Sequence, residues 1–278
     1  MLILGIDTAT RVGTVGVVRA PLLRDALPAP HERDVAARSD VLADVVRVGG
    51  LEHGAALMPL VDEALERAGV GLEQIDAVAV SVGPGSFTGL RVALATAKGF
   101  VLGTDVRLIG VPTLEAFAAT LLPGWVASES VPADAVVPGT LVASCLDARK
   151  GEVYGAAFAL REGEHGLSLE RLTPDRAARP AAFREMLESL LAESGGRAVL
   201  LGDGAERHRG EIVDPLEGRV VALPFARHHP HGAVVARLGA ALLAARGPDD
   251  VAELVPFYAR ASEAEIARER GAARGPSR

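Results

Sequence analysis

A short apolar strand, a turn that opens on aspartate and a second apolar strand occur twice in this chain, once at the N-terminus and once midway along its 278 residues. The first copy reads Leu2 to Ile6, a turn from Asp7 to Gly13, then Thr14 to Val18. The second reads Leu141 to Leu146, a turn from Asp147 to Gly151 (DARKG), then Glu152 to Leu160. Both pairs are apolar and partly β-branched, as half-buried or buried strands are. The copies agree in the order of their elements, which predicts two similar α/β lobes facing each other. Asp7 and Asp147 then stand at equivalent points beside the cleft between the lobes.

The segments between the copies fit such lobes. A third strand within Asp34 to Val48 is blurred in pattern. From Gly54 to Gly69, Leu57, Met58, Val61, Ala64, Leu65 and Ala68 recur at spacings of three and four, the stripe of an amphipathic helix with Gly69 as its stop. A strand from Asp76 to Val82 runs into GPGSFTG, followed by a helix from about Leu90 to Gly103, a strand from Val106 to Val111 and a helix from Thr113 to Leu122. Strands alternating with helices predict a parallel sheet covered by helices. Pro123 to Gly139, rich in Pro, Ser and small residues, reads as a linker. Beyond the second copy come a strand from Leu167 to Leu172, a helix from Pro180 to Ser194, a strand from Ala198 to Gly202 and a helix from Pro230 to Arg246. The expected division is an N-terminal lobe over 1–112, a C-terminal lobe over 113–258 whose last helix is free to pack back on the first, and a partly disordered tail over 259–278.

Composition removes several classes of function. Lys and Arg total 29 against 36 Asp and Glu, a formal charge of −7, which argues against a chain built mainly to grip nucleic-acid backbone. At 4% aromatic residues there is no stacking platform for single strands. One cysteine, Cys145, excludes a disulfide framework and any multi-cysteine zinc site. No apolar run approaches the roughly 20 residues that span a bilayer, and the first residues lack the pattern of a signal peptide. The expectation is a cytoplasmic protein without a membrane partner.

Gly83 to Arg91, GPGSFTGLR, is the most distinctive stretch. Its glycines follow a buried strand and either turn backbone N–H groups toward an anion or form a tight, closely packed strand-to-helix turn. It is neither a Walker A loop nor the dinucleotide fingerprint. Asp7-Thr8-Ala9-Thr10 has the same two readings: a carboxylate for a metal or its water with hydroxyls for phosphate, or a hairpin turn tied by side chain to backbone bonds. His228-His229-Pro230-His231 reads as a solvated loop before a helix rather than a metal site, since no carboxylate or cysteine stands beside it. The tail carries five arginines against three glutamates, a disordered solvated extension or an auxiliary contact to RNA or an acidic partner.

ILGIDTAT at the start, EHGAALMPLVDEAL (Glu52 to Leu65), GPGSFTGLR, VPTLEAFA (Val111 to Ala118), DARKGEVY (Asp147 to Tyr154) and PFYARASEAE (Pro256 to Glu265) together resemble the bacterial TsaB family, also called YeaZ, in the family's own order. The resemblance implies the two-lobed fold of actin, sugar kinases and Hsp70 (the ASKHA superfamily), with duplicated mixed-sheet lobes. It implies a role in making N6-threonylcarbamoyladenosine at adenosine 37 of tRNA, where TsaD transfers the threonylcarbamoyl group and TsaB and the ATPase TsaE are required companions. TsaD carries a metal-binding Asn-His-x-Glu-x-His after its own glycine loop and helix. The matching positions here are Thr113, Glu115 and Phe117, which cannot form that site. A non-catalytic scaffold follows, with no tightly bound cofactor and with ATP and metal on partner subunits. Its partners would be TsaD, TsaE and tRNA through the complex, with a homodimer when TsaD is absent.

In the family, two helices of the first lobe pair with those of TsaD or of a second TsaB. Carried over, the partner interface falls on Leu57, Met58, Val61, Leu65, Leu90, Ala93, Leu94, Ala97 and Val101, with Ala93, Ala97 and Gly99 small enough for close helix approach. Asp7, Thr8, Thr10, Gly83, Gly85 and Asp147 are left as a vestigial nucleotide cleft. The alternative is an active ATP-dependent kinase or ATPase of the same fold, using Asp7 and Asp147 across that cleft. A protease finds no nucleophile and base in the sequence.

Overall fold

A computed structural model describes residues 1–21, 36, 38–49, 56–125, 131, 135–163 and 166–259. The first sheet takes β1 (Leu2–Asp7), β2 (Val12–Arg19), β3 (Asp40–Val48), β4 (Ala77–Gly83) and β5 (Arg107–Pro112) in the order β3-β2-β1-β4-β5. β1 to β3 pair antiparallel, with Leu2 opposite Arg19 and Asp7 opposite Thr14, while β4 and β5 add in parallel. Helix α1 (Leu57–Ala68) lies between β3 and β4 in sequence, α2 (Phe87–Val101) between β4 and β5, and α3 (Thr113–Ala119) follows β5.

The second sheet repeats this plan. Its strands β6 (Leu141–Arg149), β7 (Glu152–Gly163), β8 (Gly166–Arg171), β10 (Ala198–Leu201) and β11 (Val220–Ala222) lie in the order β11-β10-β6-β7-β8, with β9 (Arg176–Ala178) paired to β7. β6, β7 and β8 are antiparallel neighbours; β10 and β11 add in parallel beside β6. Matching β6 to β1, β7 to β2, β8 to β3, β10 to β4 and β11 to β5 makes the two orders identical. The repeat expected from two strand–turn–strand pairs is therefore a repeat of whole sheets, and the architecture is a duplicated, two-lobed α/β fold. Helix α4 (Pro180–Ser194) and the short helices α5 (Asp203–Arg207) and α6 (Arg209–Ile212) complete the second lobe.

The last helix, α7 (Gly232–Arg246), is apolar on every side because both sides are buried. Ala233, Ala236 and Ala240 pack with Ile3, Ala77, Ala79 and Ile109 of the first sheet, whereas Val234 and Ala241 join Leu114, Phe117, Val142 and Phe225. The helix thus sits on the first sheet and backs onto the core of the second lobe. Its seat is at backbone contact. A Cβ at Gly5 would lie 2.1 Å from Gly232 O, and one at Gly16 2.2 Å from Ala233 N. Asp44 of β3 fixes the same end, accepting Ala233 N–H at 3.1 Å through Oδ1 and facing His231 Nδ1 through Oδ2. The histidine loop is consequently packed rather than solvated: His228 is buried, and the His229 and His231 rings stack with centroids 4.7 Å apart.

One other expectation changes. In the stretch read as a linker, Trp125 and Ala135 are buried in the second lobe's core, and Arg237 of α7 donates to Gly124 O at 2.8 Å with its guanidinium 5.7 Å from the Trp125 ring. Residues 126–130 and 132–134 of that stretch lie outside the described residues, as do 54–55 at the expected start of α1. After α7 the chain returns across the first lobe. Asp249 N–H donates to Leu108 O at 2.8 Å, Gly110 N–H donates to Asp249 Oδ2 at 2.7 Å, and Phe257 N–H donates to Val82 O at 2.7 Å. α7 and this strap thus pack on the first lobe, as the sequence division left open for the last helix. The expected disordered tail lies outside the described residues beyond Ala259. No helix is long and apolar enough to cross a membrane among the described residues.

Gly16→Ala should lower stability by about 3 kcal/mol, the upper end of what overpacking costs. Gly99→Ala, on α2 with open space around it, should raise it by about 0.5–1 kcal/mol through helix propensity. Thermal unfolding of both variants checks this; equal effects would contradict the close seat of α7.

Candidate functional site

The cleft residues are built from the turn after β1 and the loop after β4. Ser86 caps α2, its Oγ accepting Gly89 N–H at 3.2 Å, so Phe87 to Gly89 belong to the helix rather than to the loop. The loop is pressed onto the turn. Ser86 N–H donates to Ala9 O at 2.7 Å, and Thr8 Oγ1 donates to Gly89 O at 2.7 Å. A Cβ at Gly85 would lie 2.5 Å from Ala9 O, and one at Gly89 1.9 Å from Thr8 O. The space that the glycines leave free is filled by this chain's own carbonyls, which repel an anion. Of the two readings of GPGSFTG, the tight packed turn is the one observed.

The other nominated cleft residues are similarly engaged. Thr10 Oγ1 accepts Val12 N–H at 3.1 Å in a local turn. Gly83 N–H donates to Thr113 Oγ1 at 3.0 Å, and the strap carbonyl of Phe257 covers Gly83. Asp7 is fully buried; its Oδ1 accepts Ala9 N–H at 3.0 Å. Burial pushes its carboxyl above the ordinary range, outweighing the nearby Ser81 hydroxyl and the Ala9 N–H, which favour the charged form. Asp147 is held within its own lobe: Oδ1 accepts Arg149 N–H at 2.9 Å, and Oδ2 faces Arg207 at 3.2 Å and Arg149 at 3.7 Å. Its N–H donates to Asp203 Oδ1 at 3.0 Å, and burial raises the Asp203 carboxyl. Arg149 and Lys150 both adopt left-handed backbone, with φ of 64° and 54°, a conformation that costs a residue with a side chain of order 1–3 kcal/mol.

One side chain bridges the lobes at this point. Arg11, from the turn after β1, lies 4.0 Å from Glu206 and 5.0 Å from the centroid of the Phe225 ring. Sequence reasoning missed Arg11, because nothing local marks it as a cross-lobe contact. The positions matching the metal motif are used for packing. Phe117 is fully buried edge-on to Phe225, the Thr113 hydroxyl is taken by Gly83, and Glu115 pairs with Arg171 at 2.8 Å. Cys145 is buried, and burial together with Asp203 and Asp147 raises its thiol well above the usual value.

The helix residues nominated for a partner divide sharply. Leu57, Val61, Leu65, Leu90, Ala93, Leu94, Ala97 and Val101 are all buried in the lobe's own core, and only Met58, at 43% exposure, faces outward. The correction has a simple cause: the apolar stripe that identifies an amphipathic helix is the stripe that packs on its own sheet. The outer face carries Met58, Asp62 and Glu66 on α1, and Phe87, Arg91, Ala95, Gly99 and Leu102 on and just beyond α2. At its end Arg91 stacks 3.8 Å from the Phe87 ring centroid and donates from Nε to Tyr258 Oη at 2.9 Å. PFYAR was visible in the sequence, but its return to α2 was not.

Comparison with known proteins places this geometry in context. Residues 47–181 match the family model described as TsaD: tRNA N6-adenosine threonylcarbamoyltransferase. The tRNA threonylcarbamoyladenosine biosynthesis protein TsaB of Bacillus subtilis is 29% identical over 265 residues, covering 95% of this chain and 96% of that protein. The protein of the same name from Escherichia coli is 33% identical over 155 residues, 55% of this chain and 58% of that one. Among solved structures, YeaZ from Pseudomonas aeruginosa aligns with a TM-score of 0.66 at 22% identity, over 93% of this chain and all of that one (100%).

The buried and open faces of α2 should respond differently to one change. Ala97→Glu buries a charge and should prevent stable folding or cost about 3 kcal/mol or more, whereas Ala95→Glu on the open face should stay within about 0.5 kcal/mol. Thermal unfolding decides; comparable losses would contradict the assignment of the two faces.

Proposed function

The similarities to TsaB proteins and to YeaZ support the TsaB (YeaZ) family, and on that premise we propose that the chain is a non-catalytic subunit of tRNA threonylcarbamoyladenosine biosynthesis. It binds and positions the TsaD transferase together with TsaE, and it pairs with a second copy of itself when TsaD is absent. ATP and metal belong to the partner subunits, tRNA is met through the complex, and the work is done in the cytoplasm.

The observation that carries this reading is the contrast between two surfaces. The cleft's glycines are packed on this chain, the Thr8 and Thr10 hydroxyls and Asp147 are bonded, and Asp7 is fully buried, so phosphoryl transfer lacks the preorganised donors that it needs. The outer face of α1 and α2 instead presents Met58, Ala95, Gly99 and Leu102, with Leu102 at 76% exposure. Apolar and small side chains on two helices that share one core of the first sheet suit close packing against another chain.

Mass in solution tests the proposal. The expected result is a homodimer alone that converts to a one-to-one complex when the same organism's TsaD is added, with Ala95→Glu abolishing both assemblies while the unfolding temperature is kept. A wild-type monomer that ignores TsaD would overturn it, as would turnover of ATP or threonylcarbamoyl-adenylate by the isolated chain.

A further inference from the structure

Three buried oxygens at the end of the first sheet have no hydrogen-bond partner among the described residues: Asp7 Oδ2, Thr14 Oγ1 and Ser81 Oγ. All three residues are fully buried. The strand registers bring them together. Asp7 of β1 is directly opposite Thr14 of β2, and Ser81 follows Val80, the β4 residue beside Ile6. Side chains in one row across neighbouring strands share a face, here the face that continues Gly5, Gly16 and Ala79 toward α7 and α3. The Ser81 hydroxyl lies near enough to Asp7 to favour its charged form, yet none of the three oxygens completes a hydrogen bond within the row; one small molecule that reaches all three would satisfy them.

We propose that Asp7 Oδ2, Thr14 Oγ1 and Ser81 Oγ form an internal binding site for a single water molecule beneath the interlobe cleft. Three convergent partners are what a buried water ordinarily takes. A hard divalent cation needs about six oxygens in its shell, twice what this row supplies. The electrostatics point the same way. No charged side chain among the described residues acts on Asp7; the elements around it offer the hydroxyls of Thr8, Thr10 and Thr113. Asp147 and Asp203 are engaged with Arg149, Arg207 and Arg11 on the other side of the cleft. A carboxylate buried without a cation is costly, so Asp7 keeps its proton. Its Oδ2–H donates to the water oxygen, and the water donates to the two hydroxyl oxygens. This inference stands apart from the partner reading, although a neutral Asp7 also offers no ligand to a nucleotide's metal.

Asp7 is raised in the folded state above its ordinary value of 3.8. As pH rises past that value the unfolded chain ionises first, so the wild type loses stability with rising pH until the folded-state group ionises too. Asp7→Asn removes the titration. Thermal unfolding from about pH 5 to about pH 8, with and without excess magnesium chloride, is the test. The Asn variant is expected to gain on the wild type as the pH rises, melting a few degrees above it at the alkaline end, and magnesium is expected to move neither. An Asn variant that melts below the wild type throughout, or a wild type selectively raised by magnesium, would overturn the site in favour of an ionised Asp7 holding a cation. Should Asp7→Asn fail to fold, infrared spectra of the wild type, Ser81→Ala and Thr14→Val carry the test. A carboxylic-acid band at neutral pH that shifts in both variants supports the site, and its absence from the wild type contradicts it.

Discussion

The fold depends on one backbone contact, the start of α7 against β1 and β2. Gly5, Gly16 and Gly232 bring helix and sheet together with no room for a Cβ, and at that separation dispersion between main chains replaces the usual layer of side chains. Because α7 lies so close to the first sheet, its outer residues Val234 and Ala241 reach the second lobe's core beside Phe117 and Phe225. One helix therefore fixes both lobes. Asp44 and His231 hold its first turn, Arg237 ties its middle to the carbonyls of Gly124 and Ser39, and the strap beyond it closes the edge of β5.

The same economy of space shapes the cleft. Glycines in a strand-to-helix loop serve phosphate binding when their N–H groups face an open pocket. Here the loop folds down onto Thr8 and Ala9, and its glycines are needed so that two pieces of this chain can touch. Asp7 is sealed beneath them, while Asp147 is occupied by two arginines and its own hairpin. The outer face of α1 and α2 stays open at Met58, Ala95 and Leu102, while their inner face is spent on the sheet.

Much of this was legible in the sequence. The two strand–turn–strand copies predicted duplicated lobes because strand order is set by local pairs and short connections, and period-two apolar runs report these directly. The amphipathic stripe of α1 and its stop at Gly69 were equally plain. Three things were not. The family resemblance assigns the stripe residues to a partner, whereas periodicity marks a buried face without saying what buries it, and Ala97 is the clearest case. Trp125 sits in a stretch whose prolines and serines resemble a linker, yet it is buried in the second lobe's core with Arg237, far along the chain, beside its ring. Gly85 and Gly89 look alike in an anion nest and in a packed turn, and only the position of the Thr8 and Ala9 carbonyls separates the two.

The central claim is that this chain works through the open face of α1 and α2 and not through its cleft. Hydrogen exchange of the intact protein, alone and with the TsaD transferase of the same organism, tests it most directly. The account predicts new protection along Leu57–Ala68 and Phe87–Val101, with the turns after Asp7 and Asp147 unchanged. Protection confined to those two turns, with the helices exchanging as before, would contradict it.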